Sequence, residues 1–163
     1  MAPVPGRMQV IDGGPRWPRV VIDYAHTPDA IEKALAALRP QCRGELICIV
    51  GCGGDRDRGK RAQMGRAAAK GSDRVWFTSD NPRSEDPERI LADMALGLEL
   101  PNSQRVRSEV NRAEAIAVAL QSADPDDILL IAGKGHEQTQ EINGEFIPFS
   151  DFTVVHDIQS ENN

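Results

Sequence analysis

Apolar residues follow one another along this chain in two rhythms. Short continuous runs, Arg19-Val20-Val21-Ile22, Leu46 to Val50, Val75-Trp76-Phe77-Thr78 and Asp127 to Ile131, read as strands covered on both faces. Between them the spacing turns helical. Ile31, Ala34, Leu35 and Leu38 share one face behind the N-cap Thr27 and Pro28, which predicts a helix from Pro28 to about Leu38. A second helix runs through Met64 and Ala67-Ala68-Ala69. A third starts at Asp86-Pro87-Glu88 and reaches about Leu98. Asn111-Arg112-Ala113-Glu114 carries the cap-and-acid pattern of a fourth, to about Gln121. Val106 sits in a short candidate strand, and Glu141 to Ile147 reads as a hairpin turning at Asn143-Gly144. Phe152 to Ile158 closes the chain as a short helix. Strand and helix alternate, so the fold class is α/β: a doubly wound, mostly parallel sheet with a C-terminal hairpin. Met1 to Pro18, with four Pro and three Gly and no periodicity, reads as a linker or interdomain junction, leaving 19–163 as the domain.

Composition narrows what such a domain can do. A length of 163 residues supports one core, and with 4% aromatics that core must be mostly aliphatic. The formal net charge of −6 argues against a nucleic-acid partner. No apolar run is long enough to span a membrane, so no membrane partner is expected either. Cys42, Cys48 and Cys52 lack metal-ligand spacing and read as reduced, buried thiols of a cytoplasmic protein. His26 and His136 have no partner spacing for a metal, so no metal site is expected. Basic residues cluster at Arg56, Arg58, Lys60 and Arg61, which suits a small anionic ligand.

Four loops follow strands and would leave one edge of a parallel sheet: Asp23 to His26, Gly51 to Lys60, Ser79 to Ser84 and Gly133 to Glu137. Their convergence is the main physical argument for a site. In Asp80-Asn81-Pro82-Arg83, proline stiffens the loop, and an amide beside a forked guanidinium suits capture of a carboxylate. Gly133-Lys134-Gly135-His136-Glu137 has glycines that let backbone approach a ligand, and Glu137 can accept from an ammonium group. The other reading of that loop is a flexible turn with solvated Lys134 and Glu137. Gly54 to Arg61 has P-loop spacing but ends in Arg61 where Ser or Thr would hold magnesium, and two Asp inside it oppose a triphosphate. It reads instead as a tight turn whose Arg56 is braced by neighbouring acids. The first strand is not followed by the Gly-x-Gly-x-x-Gly turn of a dinucleotide-dependent oxidoreductase.

Asp23-Tyr24-Ala25-His26-Thr27-Pro28-Asp29, Gly51-Cys52-Gly53-Gly54-Asp55-Arg56-Asp57, Asp80-Asn81-Pro82-Arg83 and Ala132-Gly133-Lys134-Gly135-His136-Glu137 stand in the order seen in Mur ligases. The chain resembles the Rossmann-like C-terminal domain of the members that add meso-diaminopimelate. The likeness runs from Val4-Pro5-Gly6-Arg7-Met8, similar to a junction with a central domain, to Phe149-Ser150-Asp151. It implies ATP- and Mg2+-dependent amide ligation in peptidoglycan synthesis. The carboxylate of a UDP-MurNAc-L-Ala-D-Glu dipeptide is activated as an acyl phosphate, and the amine of the diamino acid attacks it. By position, Arg56, Asp80, Asn81, Pro82, Arg83, Gly133 and Glu137 would bind meso-diaminopimelate, and Asp23 and His26 would face the nucleotide. Departures from the family pattern are Arg58 for a usual Lys, Ser84 for Thr and Thr139 for an aromatic residue. ATP and Mg2+ would be held mainly by a central domain, and Met1-Ala2 leading straight into the junction motif suggests an excised domain, inactive alone. The alternative from another class is a free-standing amino-acid or nucleotide binding module that catalyses nothing.

Overall fold

The computed structural model describes residues 7–99 and 103–161. Five parallel strands form the body of one sheet: β2 (Arg19–Asp23), β3 (Leu46–Val50), β4 (Arg74–Phe77), β5 (Val106–Ser108) and β6 (Ile128–Ala132). A sixth strand, β1 (Gln9–Asp12), adds antiparallel to β2, and the spatial order is β1-β2-β6-β3-β4-β5. The sheet therefore begins inside the stretch read as an aperiodic linker. Gln9–Asp12 alternates half-buried and exposed positions as a sheet edge does, and four residues are too few for that rhythm to show in sequence. Val4, Pro5 and Gly6 of the junction motif lie outside the described residues.

Helices α1 (Pro28–Leu38), α2 (Gly59–Gly71) and α3 (Pro87–Ala95) cover one face, while α4 (Arg112–Ser122) and α5 (Asp151–Glu161) cover the other. Alternate residues of each central strand feed the two layers. Cys48, Val50, Leu130 and Ala132 pack beneath α1 to α3 with Ile31, Leu35, Met64, Phe77 and Met94. Ile47, Ile49, Leu129 and Ile131 pack beneath α4 and α5 with Ile116, Leu120 and Val155. That is why these runs are continuously apolar rather than alternating. Thr27, Asp86 and Asn111 each cap a helix through the side chain, as their spacing predicts. The third helix stops at Ala95, short of the expected Leu98, and the last extends beyond Ile158 to Glu161. The hairpin β7 (Thr139–Ile142) and β8 (Glu145–Pro148) turns at Asn143-Gly144, both at positive φ.

The sheet order positions the site. β6 is reached last yet lies between β2 and β3, and the chain leaves β3 and β6 towards opposite faces. A crevice opens between such strands at their carboxyl ends.

Helices α2 and α3 approach so closely that a Cβ on Gly65 would overlap the Met94 carbonyl oxygen. Alanine at 65 would gain about 1 kcal/mol of helix propensity. Overpacking against a backbone atom that cannot rotate away costs about 1–3 kcal/mol. The clash wins, and Gly65→Ala is expected to lower the denaturant midpoint without changing the m-value.

Candidate functional site

The carboxyl ends of β2, β3, β4 and β6 deliver four loops, and the last three are bonded to one another. After β2, the buried Asp23 carboxylate accepts from the Met8 amide at 2.7 Å and the Ala25 amide at 2.9 Å. Tyr24 then projects between His26 and His136, with ring centroids 4.8 and 6.5 Å away.

After β3, the glycine-rich loop lies directly on the Asp80–Arg83 loop. The Gly54 amide donates to the Asn81 carbonyl at 2.8 Å, and a Cβ on Gly54 would overlap the Pro82 carbonyl oxygen. Ser84 Oγ donates to both Asp55 carboxylate oxygens, at 2.7 and 2.8 Å. Arg56 is exposed and bonds only the Asp55 carbonyl, at 3.2 Å, among its described partners. The arginine that acids brace is Arg61, 1% exposed, which donates to Glu85 at 2.7 and 3.0 Å and to Asp93 at 3.0 Å. The expectation for Arg56 fails because residue 61, not 56, shares the inward helical face with Met64 and Ala68.

The Arg61 guanidinium, helped by the Asp55 amide, pulls the Glu85 carboxyl from its ordinary 4.5 down to about 2. A depressed carboxyl adds stability above its ordinary value and loses it as pH falls through the folded value. Glu85→Gln should therefore lower Tm most at about pH 5 and upward, with the gap to the parent closing towards about pH 2. A gap independent of pH would show that the Arg61 charge is not what holds Glu85.

After β4, Asp80 is buried. Burial pushes its carboxyl up, opposed by the Arg112 and Lys134 cations. Arg83 takes a left-handed backbone, φ +53°. Its amide donates to the Glu141 carbonyl at 2.9 Å, its carbonyl accepts from Asn143 at 2.8 Å, its Nε meets a Glu141 carboxylate oxygen at 3.2 Å, and its Nη1 donates to the Gly54 carbonyl at 2.9 Å. The guanidinium is thus held through Nε and Nη1, and among the described contacts Nη2 makes none.

After β6, Gly133 (φ +112°) and Gly135 (φ +55°) bend the chain on either side of Lys134. The lysine is fully buried, not solvated. Its Nζ donates to Asn81 Oδ1 at 2.9 Å and lies 3.2 Å from Glu137 Oε1 and 3.5 Å from Asp80 Oδ1.

These loops surround a cavity of about 410 Å3 lined by His26, Arg56, Asp80, Asn81, Arg83, Gly133 and Glu137, together with Cys52, Lys60 and Arg61. Most of the residues singled out in sequence meet there. Asp23 and Pro82 do not line it: Asp23 closes its own loop, and Pro82 packs against Gly54. The charged lining of the cavity is mixed, with Arg56, Lys60 and Arg83 beside Asp57, Asp80 and Glu137. Burial pushes the thiol of the half-buried Cys52 up to about 12, which favours its protonated form at neutral pH. Of the other thiols, Cys48 is buried and Cys42 half-buried.

Sequence reading did not foresee the burial of Arg61, Arg112 and Lys134, and it assigned Arg61 to a cluster for an anionic ligand. Arg61 and Arg112 stand in the apolar phase of their helices, Arg112 in step with Ala115, Ile116 and Ala119, and that phase is the signal that marks them. Lys134 gives no periodic signal, because it sits on a turn.

The glycine-rich loop does not fit a triphosphate with magnesium. Its Arg61 is taken by Glu85 and Asp93, and its Asp57 accepts from the Gly59 amide where a phosphate would have to lie. Among the described residues no three His, Cys, Asp or Glu gather as a metal ion would need, and no helix is long and apolar enough to cross a membrane.

Comparison with known proteins agrees with the four-loop resemblance. The family described as Mur ligase, glutamate ligase domain, matches residues 6–135. The UDP-N-acetylmuramoyl-L-alanyl-D-glutamate--2,6-diaminopimelate ligase of Coxiella burnetii is 55% identical over 148 residues, spanning 91% of this chain and 30% of the relative. The enzyme of the same name from Pseudomonas putida is 54% identical over 148 residues, 91% of this chain and 29% of its own length. A solved structure of such a ligase superposes with a TM-score of 0.91 at 46% identity, over 99% of this chain and 33% of the other. The folylpolyglutamate synthase/dihydrofolate synthase of Yersinia pestis, solved with AMPPNP and Mn, shares the fold: TM-score 0.61 at 22% identity, over 99% of this chain and 32% of that one. The chain spans about 30% of the length of the curated relatives it matches.

Proposed function

The chain belongs to the Mur ligase family through its glutamate ligase domain, and on that premise we propose that it is the amino-acid-binding domain of an ATP-dependent ligase. The ligase adds meso-diaminopimelate to UDP-MurNAc-L-Ala-D-Glu in the cytoplasmic stage of peptidoglycan synthesis. The supporting observation is the cavity itself, whose lining combines Arg56, Arg83 and Asn81 with Glu137. Donors together with a carboxylate complement an amino acid, which carries both charges at once. Meso-diaminopimelate has a second carboxylate and ammonium, and Arg83 with Glu137 suits that far end.

The domain's task is positional. It grips the far end of the diamino acid and leaves the near amine to be aimed at the activated carboxylate, which lowers the entropic cost of the encounter. Asp23 and His26 would face the nucleotide. The phosphates and Mg2+ fall to other parts of the ligase, since the glycine-rich loop here does not fit them.

The test is amide formation by the full ligase with meso-diaminopimelate, L-lysine and no amino acid. Glu137→Gln should raise the KM for meso-diaminopimelate about tenfold, the cost of one charge-assisted hydrogen bond. This chain alone should turn over no ATP. A full ligase that binds the amino acid but forms no amide would favour the non-catalytic binding module.

A further inference from the structure

Building on that reading, we infer that Lys134 is a positioning residue for the diamino acid, acting through Asn81 and Glu137 without touching the ligand. A lysine with no exposed surface is costly unless its ammonium is fully paired, and apolar residues in place of a whole buried ion pair are often as stable or more so. Here two glycines at positive φ turn the chain so that the side chain points inward, and three oxygens from two loops receive it: Asn81 Oδ1, Glu137 Oε1 and Asp80 Oδ1. The bonds decide how the site presents itself. An ammonium can only donate, and so can the Glu141 amide that reaches the same Asn81 oxygen at 2.9 Å. Asn81 Oδ1 is therefore the inward atom, and the amide nitrogen is the end offered to a ligand carboxylate. Glu137 gives one oxygen to Lys134, which leaves Oε2 to receive a ligand ammonium. One buried cation thus sets both a donor and an acceptor in the cavity wall. His136 and the remaining cavity residues receive no bond from it among the described contacts.

The test is kinetics and melting of the full ligase carrying Lys134→Met, and of the double variant Lys134→Met/Asp80→Asn, which also removes the buried Asp80 charge and leaves only the half-exposed Glu137 carboxylate where the lysine was. In both, kcat/KM for meso-diaminopimelate at saturating ATP and UDP-dipeptide should fall at least about tenfold. The KM values for ATP and UDP-dipeptide should stay within about twofold. In an Asn81→Ala/Glu137→Ala background, adding Lys134→Met should cost less than about threefold, since the groups it orients are gone. A full further loss in that background, or a parallel rise in all three KM values, overturns the inference. So does melting of both lysine variants below the assay temperature, which would make Lys134 a folding residue. If the parent ligase forms no amide with meso-diaminopimelate, the proposed function fails instead, and that control separates the two.

Discussion

Arg83→Ala in the full ligase is expected to raise the KM for meso-diaminopimelate at least about tenfold while activity with L-lysine changes little. A charge-assisted hydrogen bond contributes about 1.5–3 kcal/mol, and about 1.4 kcal/mol is a factor of ten. Lysine lacks the far carboxylate that the proposed function gives to Arg83. The backbone does not confuse the comparison, because Ala and Arg pay a similar cost for a left-handed φ of +53°. Two structural bonds vanish with the side chain, to the Gly54 carbonyl and the Glu141 carboxylate. Glu141→Gln is therefore the control, weakening the structural contact while keeping the guanidinium. Arg83→Lys should rescue only in part, since one ammonium cannot keep the Gly54 and Glu141 contacts and still present a donor where Nη2 stands. Steady-state kinetics with both amino acids decides the matter. Equal losses for the two would make Arg83 a residue of architecture alone.

The largest effect on stability is expected at Arg112. Its guanidinium and the Asp151 carboxylate are both wholly buried and meet through two bonds, of 2.8 and 2.9 Å. Arg112 also donates to the Ser79 carbonyl at 3.0 Å and the Ala132 carbonyl at 3.1 Å, joining the ends of β4 and β6 beneath the cavity. Arg112→Met strands a buried carboxylate and should cost about 3–5 kcal/mol. Arg112→Met/Asp151→Leu removes both charges and should recover most of that. Urea unfolding followed by Trp17 and Trp76 fluorescence measures both. A double variant as unstable as the single one would place the main value of Arg112 in the two carbonyl bonds.

The central strands were legible in sequence because both of their faces are buried, so apolar continuity carried the signal without need of context. Helix starts were legible because Thr27, Asp86 and Asn111 act within a few residues of themselves. The edge strand Gln9–Asp12 was not, since its partner is β2 and pairing across a turn leaves little trace in four residues. The cavity followed from strand-to-loop order, which brought Arg56, Asn81, Arg83, Gly133 and Glu137 together. What escaped was the layer beneath. Arg61, Arg112 and Lys134 look like ordinary surface cations until the acids that receive them, 24, 39 and 3 residues away, are seen beside them.

The hairpin of Thr139–Ile142 and Glu145–Pro148 has a bearing on how specificity can be transplanted. Asp80-Asn81-Pro82-Arg83 is a compact tetrapeptide and an inviting cassette for exchange between ligases. Yet its Arg83 backbone is clasped by Glu141 and Asn143, and its Asn81 oxygen by the Glu141 amide. Grafted alone into a ligase with a different hairpin, the four residues would lose the frame that keeps Arg83 left-handed and would relax about their own torsions. The exchangeable cassette is discontinuous, loop plus hairpin, some sixty residues apart along the chain and one hydrogen bond apart in space.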